Sequence, residues 1–352
     1  MTEHAVKKAP LHVLQMQPVL IEKIWGGRKL ADLFGKELPA QGRYGESWEV
    51  ADLPEGQSSV AAGPLAGCTL SEVVGMWGRE LVGTAAPDAA RFPLLVKLLD
   101  ANADLSVQVH PGQQHLAELP GAHSKDECWM ILDAEPGASI VHGLNGEVLP
   151  EAFAGAAREG TLKAVLHHEE VRAGEVVRVS PGTIHAIGAG VALLEVQEPS
   201  DTTYRVYDYN RPGLDGELRA LHLDEAMMVS RLCPSAEVAL APIALGQGVE
   251  LRVDAPGYRL ETVHVAGQAD VSWEIARSSA QVIYCVAGAL SLNDGLGGKL
   301  ELKAGQTVVV PAALGRVQGQ VRDARLAVAG LGGDLLLRDL RVVSVGAEVA
   351  PV

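Results

Sequence analysis

The sequence predicts a mainly β fold of two barrels, or jelly rolls, with a small helical part. Three observations point there. Short β-type runs recur along the 352 residues between turn signals, with 39 Gly and 19 Pro spread throughout. A turn–strand–proline segment occurs twice, at Ala173–Gly182 and again at Ala304–Ala312. Helical character is confined to three places. In chain order, Leu70–Leu81 reads as helix and Leu105–His110 alternates like a strand. Ala138–Val141 is a short β-type run, Pro150–Glu159 reads as a second helix, and Glu175–Val179 and Ala192–Val196 read as strands. Leu223–Ser230 is the third helix, and Val282–Val286, Leu300–Leu302 and Thr307–Val310 are strands. Composition shifts toward Ala and Pro near Pro234–Gly246. That places a domain boundary between residues 1–235, with a small helical insertion, and residues 236–352.

The repeated segment has the rhythm of a cupin barrel, and two copies imply two barrels. The first copy continues through Pro181-Gly182-Thr183-Ile184 to His185. The second continues Ala313-Leu314-Gly315-Arg316 and has no histidine. One metal site per chain is therefore expected, in the N-terminal domain, with a degenerate, metal-free C-terminal barrel.

Composition excludes several function classes. The net charge is −15, with 29 basic against 44 acidic residues, so a phosphate backbone is repelled and nucleic acid is not an expected partner. At 4% aromatic, the chain lacks stacking platforms for single strands. No stretch reaches about 18 uncharged apolar residues, so no membrane helix is expected. The first residues lack the apolar run of a secretory signal. Cys68, Cys128, Cys233 and Cys285 are far apart and form no CxxC, which reads as reduced thiols in a cytoplasmic protein.

The chemistry concentrates in two blocks. Gln108 and His110 lie two apart on a strand, hence on one face. Glu127 and His185 complete a set of nitrogen and oxygen donors that suits Zn²⁺ or a similar divalent ion. One carboxylate, two imidazoles and a neutral amide leave such an ion with a residual charge of about +1, which suits a Lewis acid with an open position. No HExxH is present, so a metalloprotease has little support. Downstream, Glu195–Arg211 is unusually rich in polar and aromatic residues. There Arg205 is placed to clamp an oxyanion or phosphate, and Glu195 or Asp201 to act as general base.

These residues belong to longer stretches that resemble type I mannose-6-phosphate isomerases in their short bacterial form. The stretches are Trp25-Gly26-Gly27, Gly45–Val50, Phe92–Asp100, Leu105–Pro111, Lys125–Trp129, Pro181–Ala186 and Ser200–Asp208. They fall in the family's order over most of residues 18–211. The resemblance implies a double cupin and a zinc ion on Gln108, His110, Glu127 and His185. It implies catalytic roles for Arg205 and Lys125, and proton handling by Glu195 and Asp201. Lys97, Ser106 and Lys125 would line the substrate pocket toward the phosphate, with Trp25 at its edge. The implied reaction interconverts mannose 6-phosphate and fructose 6-phosphate through a cis-enediol, in a monomer or small homo-oligomer. Three rivals remain at this stage. They are another cupin sugar-phosphate isomerase, such as one acting on glucose 6-phosphate, a cupin oxygenase, and a non-catalytic sugar-binding cupin.

Overall fold

Strands dominate residues 9–235 and 239–345, which the computed structural model describes. The architecture is mainly β, of the double-cupin type, with a minor helical part. Contacts divide the chain into two units. One comprises Leu20–Trp48 and Val96–Ala241. The other comprises the residues up to Val19, Glu49–Leu95, and the residues from Pro242 on.

In the first unit a six-stranded sheet runs in the order Val176–Val179, Glu127–Ala134, Val191–Gln197, Leu95–Ala101, Tyr44–Val50, Val19–Gly27. A five-stranded sheet has the order Leu166–Glu170, Ser139–Leu144, His185–Ile187, Val107–Val109, Tyr204–Tyr207. Strand alternation sorts their side chains into two layers. Trp25, Leu99, Trp129, Ile131, Ile140, Val177, Ile187 and Leu193 form a core to which both sheets contribute. On its other face the five-stranded sheet places Val107, Val109, Val141, Ala186 and Val206 against Phe153, Ala157, Ala226 and Val229.

Those last four residues come from two helices. Pro150–Glu159 has its proline in the first turn, where a missing N–H costs nothing. It ends at Gly160, whose φ of 72° is the left-handed conformation that favours glycine. Leu223–Val229 carries Asp224 and Glu225 in its first turn, matching the positive helix end.

The second unit is built on three long strands, Arg259–Glu274, Gln281–Asn293 and Arg316–Gly330, in one sheet with shorter neighbours. Its core gathers Val263, Val271, Trp273, Ile283, Leu290, Val308, Val310, Val321 and Val328. Leu14–Gln17 enters this sheet by pairing Leu14 with Val309 and Gln15 with Val308. The division is therefore discontinuous along the chain, unlike the expected 1–235 and 236–352. Its last crossing, between Ala241 and Pro242, lies within the Ala/Pro-rich stretch.

The expected helix Leu70–Leu81 is two helices, Leu70–Trp77 and Arg79–Val82. Gly78 at φ +51° breaks it, while Thr69 and Glu72 cap its start reciprocally. Both pieces belong to the second unit. Among the described residues, no helix is long and apolar enough to cross a membrane.

Candidate active site

Period-two alternation builds the site. Because Val107 and Val109 face the helices, Gln108 faces the opposite way; the same holds for His185 beside Ala186 and for Arg205 beside Val206. Register aligns all three, with His185 opposite Gln108 on one side and Arg205 opposite Gln108 on the other. On the six-stranded sheet, Trp129 and Ile131 point into the core, so Glu127 does too. Leu193 carries Glu195 with it, Leu99 carries Lys97, and Trp25 carries Lys23. Each inward face is thus apolar at one end of the strand and polar at the other. The polar ends line a pocket of about 220 Å³.

Among the described residues, His110, Glu127 and His185 bring one ligand atom each within 4.8 Å of one another. His110 Nε2 lies 3.5 Å from Glu127 Oε2, and His185 Nε2 lies 3.5 Å from Glu127 Oε1. His110 Nδ1 donates to the Thr202 carbonyl at 2.9 Å, and His185 Nδ1 donates to the Thr183 carbonyl at 2.8 Å. That fixes each neutral ring with its Nε2 lone pair facing the carboxylate. His110 Nε2 and Glu127 Oε1 are buried without a hydrogen-bond partner among the described residues, a cost that a cation between them would remove. Gln108 reaches the same centre, its amide nitrogen 3.3 Å from His185 Nε2. Turning that amide over presents its carbonyl oxygen instead. These residues fit a divalent metal.

Protonation states agree. Burial, then the charge of His110, pulls His185 down to about 3, and burial with Lys125 lowers His110. Both rings are neutral at pH 7, as ligation requires. Burial opposes the Glu127 charge, but the Lys125 ammonium at 2.8 Å holds its carboxyl below the usual range.

The other expected residues converge on the same pocket. Lys97 is buried, 3.5 Å from Glu195 and 3.9 Å from Asp201, with its ammonium 4.9 Å from the Trp48 ring centre. Glu195 accepts from the Trp129 indole at 3.0 Å. Its pKa is raised, first by burial and then by the Glu127 charge. Asp201 is 43% exposed at the rim. Ser106 Oγ lies 3.4 Å from Gln108 Oε1, and Trp25 walls the pocket from the core. Lys125 lines the pocket too, with its ammonium 2.8 Å from Glu127.

Arg205 anchors its Nη1 on the Ala220 carbonyl, and among the described residues its buried Nε has no partner. Burial, then Arg219, lowers its pKa. Sequence reasoning missed Lys23, Glu46 and Arg219, which also line the pocket. Lys23 pairs with Glu46 at 3.0 Å. Burial works against the Glu46 charge, yet Lys97 and Lys23 hold that carboxyl down to about 2. Arg219 shares the buried Asp208 with Arg211. Position two before Trp25 was the signal for Lys23, whereas Arg219 sits in a loop and had none.

A buried imidazole–carboxylate cluster at the polar end of a cupin-type barrel defines a cupin with a candidate metal site. Residues 13–129 match the family described as phosphomannose isomerase type I, catalytic domain. A probable mannose-6-phosphate isomerase of Bacillus subtilis, GmuF, is 44% identical over 220 residues, 62% of this chain and 68% of that one. A mannose-6-phosphate isomerase of Streptococcus mutans is 39% identical over 240 residues, covering 68% and 74%. The crystal structure of the mannose 6-phosphate isomerase from Bacillus subtilis superposes with a TM-score of 0.81. It is 30% identical, over 90% of this chain and 99% of that one. The chain belongs to the type I phosphomannose isomerase family and is an isomerase.

Proposed function

We propose that the chain interconverts D-mannose 6-phosphate and D-fructose 6-phosphate through a cis-enediol, with one zinc ion held by Gln108, His110, Glu127 and His185. The observation behind this reading is the buried His110–Glu127–His185 cluster, with His110 Nε2 and Glu127 Oε1 unpartnered among the described residues and both imidazoles tautomer-locked. When bound there, zinc supplies Lewis-acid stabilisation of negative charge on the sugar's C1 and C2 oxygens.

The chain's own residues do the rest. Glu195 takes the proton from C2 of the open-chain aldose and returns it to C1. Burial raises its proton affinity, which suits a carboxylate that must hold a proton between two half-reactions. The Trp129 indole N–H and the Lys97 ammonium fix its orientation. Asp201, exposed and 3.9 Å from Lys97, helps hold that ammonium. The unpartnered Arg205 Nε–H is free to donate to the oxygen that gains charge in the enediolate. With the Gln108 amide turned over, Ser106 Oγ faces its NH2 and orients Gln108 by accepting from it.

Charge balance favours one end of the pocket for the phosphate. Lys23, Lys97 and Lys125 each face carboxylates drawn from Glu46, Glu195, Asp201 and Glu127. Among the described residues, Arg211 and Arg219 both pair with Asp208, whose charge also acts on Arg205. A dianionic phosphate is therefore drawn to the arginine end, where Arg205 and Arg219 line the pocket. The local excess of positive charge overcomes the acidic chain as a whole.

The test is a coupled isomerase assay on mannose 6-phosphate before and after chelation, with zinc added back. Activity lost and then restored supports the reading. Turnover of glucose 6-phosphate alone moves the assignment to that rival substrate, and binding without turnover of either moves it to a sugar-binding cupin. Two substitutions divide the arginine end. Arg205→Ala keeps its metal while kcat falls about 10²–10³-fold, the usual loss for one donor to developing charge. Arg219→Ala loses a charged hydrogen bond of about 1.5–3 kcal/mol and raises KM about 10–100-fold with less change in kcat. Steady-state kinetics with metal analysis on both proteins checks the split.

A further inference from the structure

Two loops beside the site are tied together more densely than any turn there requires. Gln197 ends its strand fully buried and directly opposite Glu127 in register. Its amide donates to the Ser200 carbonyl at 2.6 Å and to the Glu198 carbonyl at 2.9 Å. Glu198 then reaches across the strand end. Its Oε2 accepts from Ser124 Oγ at 2.9 Å and from the Asp126 N–H at 3.1 Å, while its own N–H donates to the Asp126 carbonyl at 3.1 Å. Ser200 Oγ donates to the His123 carbonyl, and the His123 N–H donates back to Thr202 Oγ1. Pro199 limits the backbone between the two anchors.

Both ends of this network finish on proposed metal ligands. Thr202 supplies the carbonyl that holds the His110 tautomer. Residues 123–126 lead directly into Lys125 and Glu127, which they deliver to the site. We infer that Gln197 and Glu198 form a clasp that positions His110 and Glu127 together, so that metal affinity is set by two residues that touch neither metal nor substrate. The inference rests on the metal reading above. Its physical basis is that a ligand's orienting partners fix the tautomer and approach, and their loss typically weakens metal binding about 10–100-fold.

Zinc affinity, measured by chelator competition on the purified full-length chain, reads the clasp without using activity. Glu198→Ala and Gln197→Leu are expected to bind zinc about 10–100-fold more weakly than the unaltered chain. Glu198→Gln keeps an oxygen that accepts from Ser124 and Asp126, and is expected to restore affinity. NMR of the imidazole nitrogens in the zinc-loaded variants should show the His110 Nδ1–H signal weakened in Glu198→Ala and preserved in Glu198→Gln. A loss confined to folding would lower melting temperature without this pattern. Should Glu198→Ala not fold, Ser124→Ala removes one donor of the clasp and is expected to weaken zinc about 2–10-fold. Unchanged affinity in folded Glu198→Ala or Gln197→Leu overturns the clasp while leaving the metal site intact. Equal losses in Glu198→Gln and Glu198→Ala also overturn it, since acceptance rather than bulk is the claim. An unaltered chain that binds no zinc overturns the metal reading and the clasp together.

Discussion

Replacing His110 by alanine abolishes metal binding and lowers turnover of mannose 6-phosphate by about 10³-fold or more, the rate equivalent of the several kcal/mol a Lewis acid contributes. The structure makes this substitution unusually clean. The ring is buried, and its Nδ1 is committed to the Thr202 carbonyl. What the site loses is one nitrogen lone pair and the volume around it. Glu127 keeps its 2.8 Å pair with Lys125, so the carboxylate is not stranded. Elemental analysis should fall from about one zinc per chain to background. Added zinc should restore the chelated unaltered protein and leave the variant inactive. Full turnover by a metal-free His110→Ala protein would remove the metal from the reaction.

Much of the architecture and the metal cluster was legible because period-two alternation in valine-rich runs is a local signal. Thr307–Val310 and Pro150–Glu159 have the predicted limits, and the repeat at Ala173–Gly182 contains the strand Val176–Val179. Gln108 and His110, two apart, were enough to suggest a shared face. Non-local facts were not legible. Nothing near Leu14 announces that its partner is Val309, so the discontinuous division of the chain was invisible. Gly78 lies inside an apolar run, and whether a glycine there stays helical depends on its surroundings rather than its neighbours in sequence. Lys125 lines the pocket, but its pairing with Glu127 was not legible. A lysine two residues before a glutamate reads the same whether it faces a phosphate or the glutamate itself. Arg219 was missed because its position depends on Asp208, eleven residues earlier, through a loop without periodicity.

Glu195→Gln separates proton transfer from metal binding. The substitution is nearly isosteric, and its amide oxygen still accepts from the Trp129 indole. Zinc content should therefore stay unchanged while kcat falls about 10²–10⁴-fold, the range for loss of a positioned general base. The pH profile carries a second signature. Burial and the neighbouring Glu127 raise the Glu195 pKa, while Lys125 and Lys97 pull it back. A base works when deprotonated, so activity is present above that raised value and lost as pH falls through it. The acid limb of kcat/KM should accordingly lie above the ordinary carboxylate range. Lys97→Met removes one charge that restrains the shift, and should move the limb to higher pH. The residual activity of Glu195→Gln should lack the limb altogether. Asp201→Asn is the comparison that decides between the two acids. Asp201 is 43% exposed and 3.9 Å from Lys97, so its loss should cost far less than that of Glu195. If Asp201→Asn instead shows the large fall and erases the acid limb, the proton passes through the rim carboxylate, and buried Glu195 serves to hold Lys97.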